Sequence, residues 1–143
     1  MRTVREILNK KGNLIWSVNP EASVYEALQL MAEKEAGAVL VIDNGNVKGI
    51  LSERDYARKI VLHGKFSKDT SVKEIMSEKV IYVEPNQSIE ECMAIMISKK
   101  IRHLPVMDNN RLSGIISIGD VVEAVLEEKE SVIGELTRFI QGT

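Results

Sequence analysis

The sequence contains few of the residues from which metal centres and disulfide cross-links are built. It has one cysteine, Cys92, so it can form neither an intramolecular disulfide nor a cysteine cage for a metal ion. Its two histidines, His63 and His103, are too few to build a metal centre in their place. We therefore expect no metal site and no catalytic cofactor.

Long apolar runs and an excess of one charge are also missing. The longest uninterrupted apolar run covers residues 38–42, whereas a membrane helix needs about 20 apolar residues. The first residues show no secretory signal pattern. The 19 basic and 21 acidic residues give a net charge of −2, which provides no general attraction to nucleic acid. We therefore expect a cytoplasmic protein that binds neither membranes nor nucleic acids.

The composition is nevertheless that of a folded protein. Apolar residues make up 44% of the 143 residues and charged residues 28%. A chain of this size buries roughly 68–70% of its unfolded surface, so it can build a core without cross-links. One compact domain or two fused half-domains are both compatible with the length.

An internal repeat is the most informative feature of the sequence. When the chain is aligned with itself at an offset of 65, twelve residues are identical over the 38 ungapped positions from Pro20 to Ala57, which is hard to explain by chance. Upstream, residues 4–8 align with residues 72–76 at an offset of 68, so the first copy has three extra residues around the loop-like segment 10–13. We divide the chain into repeat 1 (1–66), repeat 2 (67–126) and a C-terminal helical tail (127–143).

Each copy predicts the same order of helices. Serine or threonine followed three residues later by glutamate is the capping-box pattern of a helix start. It predicts a short helix after Thr3 or Ser71 and a longer helix after Ser23 or Ser88. The longer helices carry apolar residues at helical spacing, namely Val24, Ala27, Leu28 and Met31 in one copy and Ile89, Cys92, Met93 and Met96 in the other.

The strands follow a different pattern. Short extended segments are predicted at residues 14–18 and 80–83, before each longer helix. After it, strands at 38–42 and 47–51, and at 104–107 and 112–116, are joined by asparagine-rich turns typical of hairpins. A closing helix begins near Arg54 or Gly119. The result is an α+β fold of two βαββα-type units, with small mixed sheets flanked by helices.

One motif occurs at the same point of both copies. Glycine, two apolar residues, serine, two variable residues and aspartate occupy residues 49–55 and 114–120, at a strand-to-helix junction. Backbone N–H groups at a helix start suit a phosphate, and the two oxygens of an aspartate could accept both hydroxyls of a ribose. The same spacing is also a capping box that needs no ligand. The motif alone leaves both interpretations open.

The sequence resembles the paired cystathionine-β-synthase (CBS) domains, also called the Bateman module, from Val4 to about Leu126. The resemblance is carried by Val-Lys-Glu-Ile-Met at 72–76, Arg-His-Leu-Pro-Val at 102–106 and both Gly-x-x-Ser-x-x-Asp motifs. It implies two CBS repeats related by a pseudo-twofold axis, ligand clefts between them and, in many members, a homodimer. It also implies AMP, ADP, ATP or NAD as ligand, or alternatively S-adenosylmethionine.

The resemblance implies roles for particular residues. Ribose is expected at Asp55 and Asp120. Phosphate is expected at Ser52, Arg54, Lys68, Thr70, Arg102, His103 and Ser117. Adenine is expected against Val18, Gly37, Ala38, Val83, Ile101, Leu104 and Pro105. For His103, a structural role is an equal alternative.

We therefore predict a non-catalytic regulatory module that binds adenine nucleotides and signals in trans to an effector protein that the sequence does not identify. Catalysis is not expected, because no histidine accompanies the motif in both copies. A ligand-free dimerisation or interaction scaffold is the alternative. Val125, Val132, Leu136 and Phe139 share one face of the predicted tail helix. This face either folds back onto its own domain or contacts a partner.

Overall fold

The computed structural model describes residues 2–141, and it confirms the predicted α+β class. Met1, Gly142 and Thr143, which belong to the predicted repeat 1 and tail, lie outside the described residues. The helices are α1 (Val4–Lys11), α2 (Val24–Lys34), α3 (Glu53–Tyr56), α4 (Ile89–Lys99) and α5 (Ile118–Ile140). The strands are β1 (Ser17–Val18), β2 (Ala38–Asp43), β3 (Asn46–Ser52), β4 (His103–Asp108) and β5 (Arg111–Ser117).

The chain forms two compact units, which do not follow the sequence repeats. The middle unit is Ile15–Val80, and the terminal unit combines Met1–Leu14 with Ile81–Thr143. The opening segment of each repeat thus packs with the hairpin of the other repeat. The boundaries at residues 66 and 126 stay a prediction about the sequence repeats, whereas the compact units divide the chain elsewhere.

Each unit is built around one β-hairpin. In the middle unit, β2 and β3 are antiparallel, and the short strand β1 pairs in parallel with β2. In the terminal unit, β4 and β5 are antiparallel, and Val83 makes a single parallel bridge to Val106. The paired parts are shorter than the extended segments predicted at 14–18 and 80–83. Trp16, Ser17 and Val18 contact β2, and Val83 contacts β4.

The hairpin turns have the geometry that their asparagines favour. Asn44 and Gly45 have φ values of 52° and 78°, and Asn109 and Asn110 have 51° and 65°. Two consecutive positive φ values define the type I′ turn, whose twist matches that of a two-stranded ribbon. The predicted hairpins are confirmed at both positions.

The longer helices begin where the capping pattern predicts. The Ser23 hydroxyl accepts a hydrogen bond from the Glu26 N–H, and Ser88 and Glu91 form a complete capping box. The buried side of each helix is the predicted apolar stripe, with Val24, Ala27 and Met31 in α2 and Ile89, Cys92 and Met96 in α4.

The prediction of short opening helices is correct in one copy and wrong in the other. After Thr3 the chain forms α1, although within the described residues the Thr3 side chain makes no capping hydrogen bond. Ser71 and Glu74 do form a capping box, but only a single 3₁₀ turn, Val72–Glu74, follows it. A cap satisfies N–H groups at a helix start, so it does not determine how far the helix continues.

Each unit has its own apolar core, to which the exchanged opening segments contribute. In the terminal unit, Val4, Ile7 and Leu8 of α1 pack with residues of α4, β4, β5 and α5. In the middle unit, Val72 and Ile75 pack with residues of α2, β2 and β3. The opening segments are therefore part of the core, and not linkers.

The closing helices differ between the units. In the middle unit, α3 covers one turn and continues as a π-helical segment, Ala57–Val61. In the terminal unit, α5 has 23 residues, so residues 127–140 continue the closing helix. A separate tail at 127–143 stays a prediction. The last apolar side chains of α5, including Val132, Leu136 and Phe139, remain exposed, Phe139 by 81%. They do not fold back onto the terminal unit. Across residues 2–141, no helix combines the length and apolar character needed to cross a membrane.

Candidate functional site

The motif of the terminal unit lies where β5 ends and α5 begins. Ser117 is the residue before α5, and its hydroxyl accepts a hydrogen bond from the Asp120 N–H at 3.2 Å. The Asp120 Oδ2 atom accepts a hydrogen bond from the Ser117 N–H at 2.8 Å. The two residues therefore cap the helix. A carboxylate offers about four acceptor positions over its two oxygens, so the cap leaves capacity for a ribose hydroxyl.

Lys11, which the sequence analysis did not single out, completes this site. It is the last residue of α1, and its Nζ donates to Asp120 Oδ2 at 2.7 Å and to the Ile115 carbonyl at 2.9 Å. The Lys11 and Asp120 side chains are 35% and 22% exposed. A ligand could therefore reach both charged groups of the pair from solvent.

Strand β4 brings two further predicted residues to this site. His103 faces Ser117 across the β4–β5 pair, and the Arg102 carbonyl accepts a hydrogen bond from the Ile118 N–H at 2.8 Å. The structure therefore brings Arg102, His103, Ser117 and Asp120 to one strand-to-helix junction, and their binding roles stay predictions.

The electrostatics of the cluster favour a charged carboxylate beside a neutral imidazole. Burial acts to raise the pKa of Asp120, but hydrogen bonds from Lys11 and the Ser117 N–H outweigh burial and lower this pKa below its ordinary value. Burial lowers the pKa of His103, the charges of Lys11 and Arg102 lower it further, and Asp120 acts in the opposite direction. Near neutral pH, the cluster therefore offers one anion and two cations.

A cavity of about 300 Å³ lies next to this cluster, between α1 and α5. Its walls include Lys11, Asp120 and a set of ion pairs that join α5 to α1 and to Arg2, which precedes α1. Arg2 lies 3.5 Å from Glu127, and Lys10 contacts both Glu127 and Glu123. The site is therefore bordered by a charged groove within the terminal unit.

The motif of the middle unit has the same cap but a different cation. The Ser52 N–H and hydroxyl both donate to Asp55 Oδ2, at 2.9 and 3.0 Å, and the Asp55 N–H donates to the Ser52 hydroxyl at 3.2 Å. The Asp55 Oδ1 atom lies 3.4 Å from Nζ of Lys59, one helical turn later. Gly37 belongs to the same junction, because its carbonyl accepts a hydrogen bond from the Glu53 N–H.

The second variable position of the motif makes the two sites unlike. Arg54 is half-buried in the middle unit, whereas Gly119 stands at the matching place in the terminal unit. A Cβ at Gly119 would meet only the Ser117 hydroxyl oxygen, at an ordinary 3.6 Å. The terminal site thus lacks a side chain at this position and instead receives a cation from α1.

Lys68 and Thr70 contact the first turn of α2, and they lie away from the motif. The Thr70 carbonyl accepts a hydrogen bond from the Val24 N–H, and its buried hydroxyl donates to the Phe66 carbonyl. The Lys68 ammonium lies 4.8 Å from the centre of the Tyr25 ring. Within the described part of the chain, no hydrogen bond or ion pair joins Lys68 or Thr70 to the motif. Their assignment to phosphate stays a prediction.

The residues predicted to contact adenine differ in their exposure. Val83 and Leu104 are completely buried in the core of the terminal unit, because they lie on the inward side of their segments. Their side chains therefore offer no surface to a ligand. Ala38 and Pro105 are also buried, whereas Val18, Gly37 and Ile101 are partly exposed. Adenine contacts stay a prediction for all seven residues.

Among residues 2–141, no three histidine, cysteine, aspartate or glutamate side chains are grouped as metal ligands. Cys92 is buried in the apolar stripe of α4, as predicted, and burial raises the pKa of its thiol to about 11. Within the same residues, no hydrogen bond joins His103 to Ser117 or Asp120.

Comparison with known proteins gives a consistent family. A sequence model described as "CBS domain" matches residues 4–62 and 72–127. The "CBS domain-containing protein CBSX3, mitochondrial" of Arabidopsis thaliana is 36% identical over 150 residues, which cover 98% of this chain and 72% of that protein. A solved protein with CBS domains from Burkholderia ambifaria MC40-6 is 51% identical, with a TM-score of 0.86 over 88% of this chain and 95% of that chain.

A more distant structure shares the fold alone. The CBS domain pair of protein MJ0100, solved with 5′-methylthioadenosine and S-adenosyl-L-methionine, is 22% identical, with a TM-score of 0.79 over 90% of this chain and 98% of that chain. Its ligands are a property of that protein.

Proposed function

Because the chain belongs to the CBS-domain family, whose paired domains are regulatory ligand-binding modules, we propose that it binds adenine nucleotides, with AMP, ADP, ATP and NAD as the candidates. One site lies at each strand-to-helix junction, with Asp55 or Asp120 holding the ribose. The bound ligand regulates an effector protein. The proposed role is non-catalytic, since both motif serines accept helix-cap hydrogen bonds and, among residues 2–141, neither is hydrogen-bonded to a histidine.

The observation that supports this proposal most strongly is the arrangement around Asp120. A carboxylate can accept the two hydroxyls of a ribose, and a neighbouring cation can hold a phosphate. Asp120 stands 2.7 Å from the Lys11 ammonium, with His103 at the start of the neighbouring strand β4 and Arg102 immediately before it. An accessible acid beside cations suits a ligand that carries both a diol and a phosphate.

The middle unit repeats the arrangement with its own side chains. Asp55 has Lys59 at 3.4 Å and Arg54 as its half-buried neighbour in α3. Because the two sites hold their cations differently, we expect them to bind the same class of ligand with different affinities.

The test is isothermal titration with AMP, ADP, ATP and NAD, and with S-adenosylmethionine as the alternative ligand. Asp55→Asn and Asp120→Asn each keep an acceptor for the cap but lose the charge. Each should weaken nucleotide binding at its own site about tenfold or more, since a hydrogen bond to a charged group contributes roughly 1.5–3 kcal/mol. Glu91→Gln is the matched control, because it alters a capping box outside both sites.

The outcomes separate the two interpretations of the motif. If nucleotide binding weakens in the two aspartate variants and not in Glu91→Gln, the carboxylates bind ligand. If the double variant Asp55→Asn/Asp120→Asn binds as tightly as the parent, the motifs are caps alone. A ligand at 100 times its dissociation constant should stabilise the parent by about 2.7 kcal/mol, which a thermal melt detects.

A second candidate function is an interaction module, which the exposed apolar side of α5 favours. Val132, Leu136 and Phe139 are more than half exposed, and exposed apolar patches often mark contact surfaces. Light scattering is the test. A homodimer has a mass of 2 × 16.0 = 32.0 kDa, and Leu136→Ser/Phe139→Ser should return it to the monomer mass if α5 forms the contact.

A further inference from the structure

Asp120 is held by a residue from the other end of the chain. Lys11 lies 109 positions before it and belongs to α1. Its Nζ has three N–H donors, of which one serves the Asp120 carboxylate and one the Ile115 carbonyl. The core places the backbone of α1 beside this site, because Val4, Ile7 and Leu8 anchor the helix in the terminal unit.

A ribose that takes the Asp120 carboxylate changes the electrostatics of Lys11. Hydroxyl groups that donate to the carboxylate compete with the ammonium for its oxygens. The Lys11 side chain is 35% exposed, so an ammonium that loses part of its anionic partner is free to take another anion. A phosphate on the same ligand is such an anion, and its hydrogen bonds to an ammonium are charge-assisted.

We propose that Lys11 is a phosphate-binding residue of the Asp120 site, and that its exchange of partner from carboxylate to phosphate makes this site select phosphorylated adenosine over adenosine. This inference rests on the proposed function. It adds the selectivity of one site and assigns it to a residue of α1.

The middle unit shows why this selectivity belongs to the terminal site. There, the cation beside Asp55 is Lys59, at 3.4 Å on the following turn of the same helical segment, and Arg54 supplies a further charge. At the terminal site, Gly119 stands where the middle unit has Arg54, so no cation is supplied there. Lys11 instead makes the 2.7 Å contact with Asp120. Selection for phosphate at the terminal site therefore depends on α1 more than on α5.

The experiment compares AMP with adenosine by isothermal titration. Asp55→Asn is present throughout, so that the Asp120 site dominates binding. Lys11→Met removes the charge and keeps most of the side-chain volume. Lys11→Arg keeps the charge. Lys10→Met is the matched control, because Lys10 also joins α1 to α5 but pairs with Glu123 and Glu127.

The expected result is a change in the ratio of the two affinities. In the parent, AMP should bind about tenfold more tightly than adenosine, which corresponds to one charge-assisted contact. In Lys11→Met, AMP should weaken until the ratio approaches one, while adenosine binds equally well or better. Lys11→Arg and Lys10→Met should keep the ratio of the parent.

Two results would overturn the inference. The first is an unchanged ratio in Lys11→Met, including the case in which a loosened α1 weakens both ligands together. The second is an AMP-to-adenosine affinity ratio that falls in Lys10→Met as much as in Lys11→Met. That result would assign the selectivity to the total positive charge of α1 and not to Lys11. If the Asp55→Asn background bound neither ligand while the unmodified chain bound AMP, the Asp120 site and this inference would fail. If the unmodified chain also bound no adenine nucleotide, the proposed function itself would fail.

Discussion

Leu8 of α1 lies so close to Gly114 of β5 that a Cβ at position 114 would be 2.7 Å from the Leu8 Cδ2 atom. The same close approach occurs at Gly49, where a Cβ would lie 2.7 Å from the Ser77 carbonyl oxygen and 2.8 Å from the Met76 sulfur. Leu8 and Met76 are equivalent in the sequence repeat. Each motif therefore needs glycine at this position, because an opening segment packs too closely on the strand to leave room for a Cβ.

Alanine at these two glycines should destabilise the protein to different extents. Gly49→Ala meets a backbone oxygen that is fixed by its hydrogen bond from the Ile50 N–H, so its cost should lie near the upper end of the roughly 1–3 kcal/mol of an overpacked core. The atoms nearest to a Cβ at position 114 belong to the Leu8 side chain, which can rotate, so the cost of Gly114→Ala should lie near the lower end. Urea unfolding measures both values.

Gly134→Ala is the control for the substitution itself. A Cβ there would meet only the Arg138 side chain at 3.7 Å, within helix α5. It should preserve stability or raise it by up to about 1 kcal/mol, through helix propensity. Leu8→Ala combined with Gly114→Ala should cost less than the sum of the single changes, because the smaller side chain makes room. Additive costs would contradict the proposed clash.

Replacing Ser88 with alanine should destabilise the protein more than replacing Thr3, because only Ser88 caps its helix with its side chain. Ser88 is only 5% exposed and completes a capping box with Glu91, so Ser88→Ala should lower the free energy of unfolding by about 1 kcal/mol or more. Thr3 has no such bond within the described residues, so Thr3→Ala should cost clearly less. Equal losses in urea unfolding would show that the caps are not the cause.

His103 should make stability depend on pH in mildly acidic solution. Its pKa is lowered below the ordinary value of 6.5, chiefly by burial, so the unfolded chain takes up the proton first as the pH falls. The free energy of unfolding should therefore decrease from about pH 6.5 down through the folded pKa, and His103 adds no slope above this range. His103→Gln should remove that part of the slope. An unchanged slope would contradict the assignment.

Cys92 should be protected from thiol reagents in the folded protein. Burial raises the pKa of its thiol to about 11, and the reactive thiolate is therefore scarce at pH 8 as well as inaccessible. Labelling with a chromogenic disulfide should be slow in buffer and complete in denaturant. Rapid labelling of the folded chain would show that α4 opens locally.

Much of the fold could be predicted from local signals in the sequence. Ser23 and Ser88 mark their helices because a cap is a contact between residues three positions apart. The asparagine-rich turns after Asp43 and Asp108 fix the hairpins because few residues adopt two consecutive positive φ values. The repeat then placed both motifs at the same junction, which the structure reproduces.

The parts that could not be predicted depend on contacts between distant positions. The contact of Lys11 with Asp120 spans 109 residues, and nothing in the sequence around Lys11 indicates it. The packing of α1 in the terminal unit likewise follows from the apolar core, to which the distant residues Leu104 and Ile116 contribute. The length of the turn after Ser71 was also missed, since a capping box marks a start and not an end.

The most direct test of the central claim is a crystal structure of the full chain grown with AMP. The distances to be measured join the two ribose hydroxyl oxygens to the carboxylate oxygens of Asp55 and Asp120. Our account predicts about 2.5–3.0 Å at one or both sites, the range of an O–H···O bond. Bound AMP whose ribose lies away from both carboxylates would contradict it. The absence of AMP density at both junctions, for a chain that binds AMP in solution, would also contradict it.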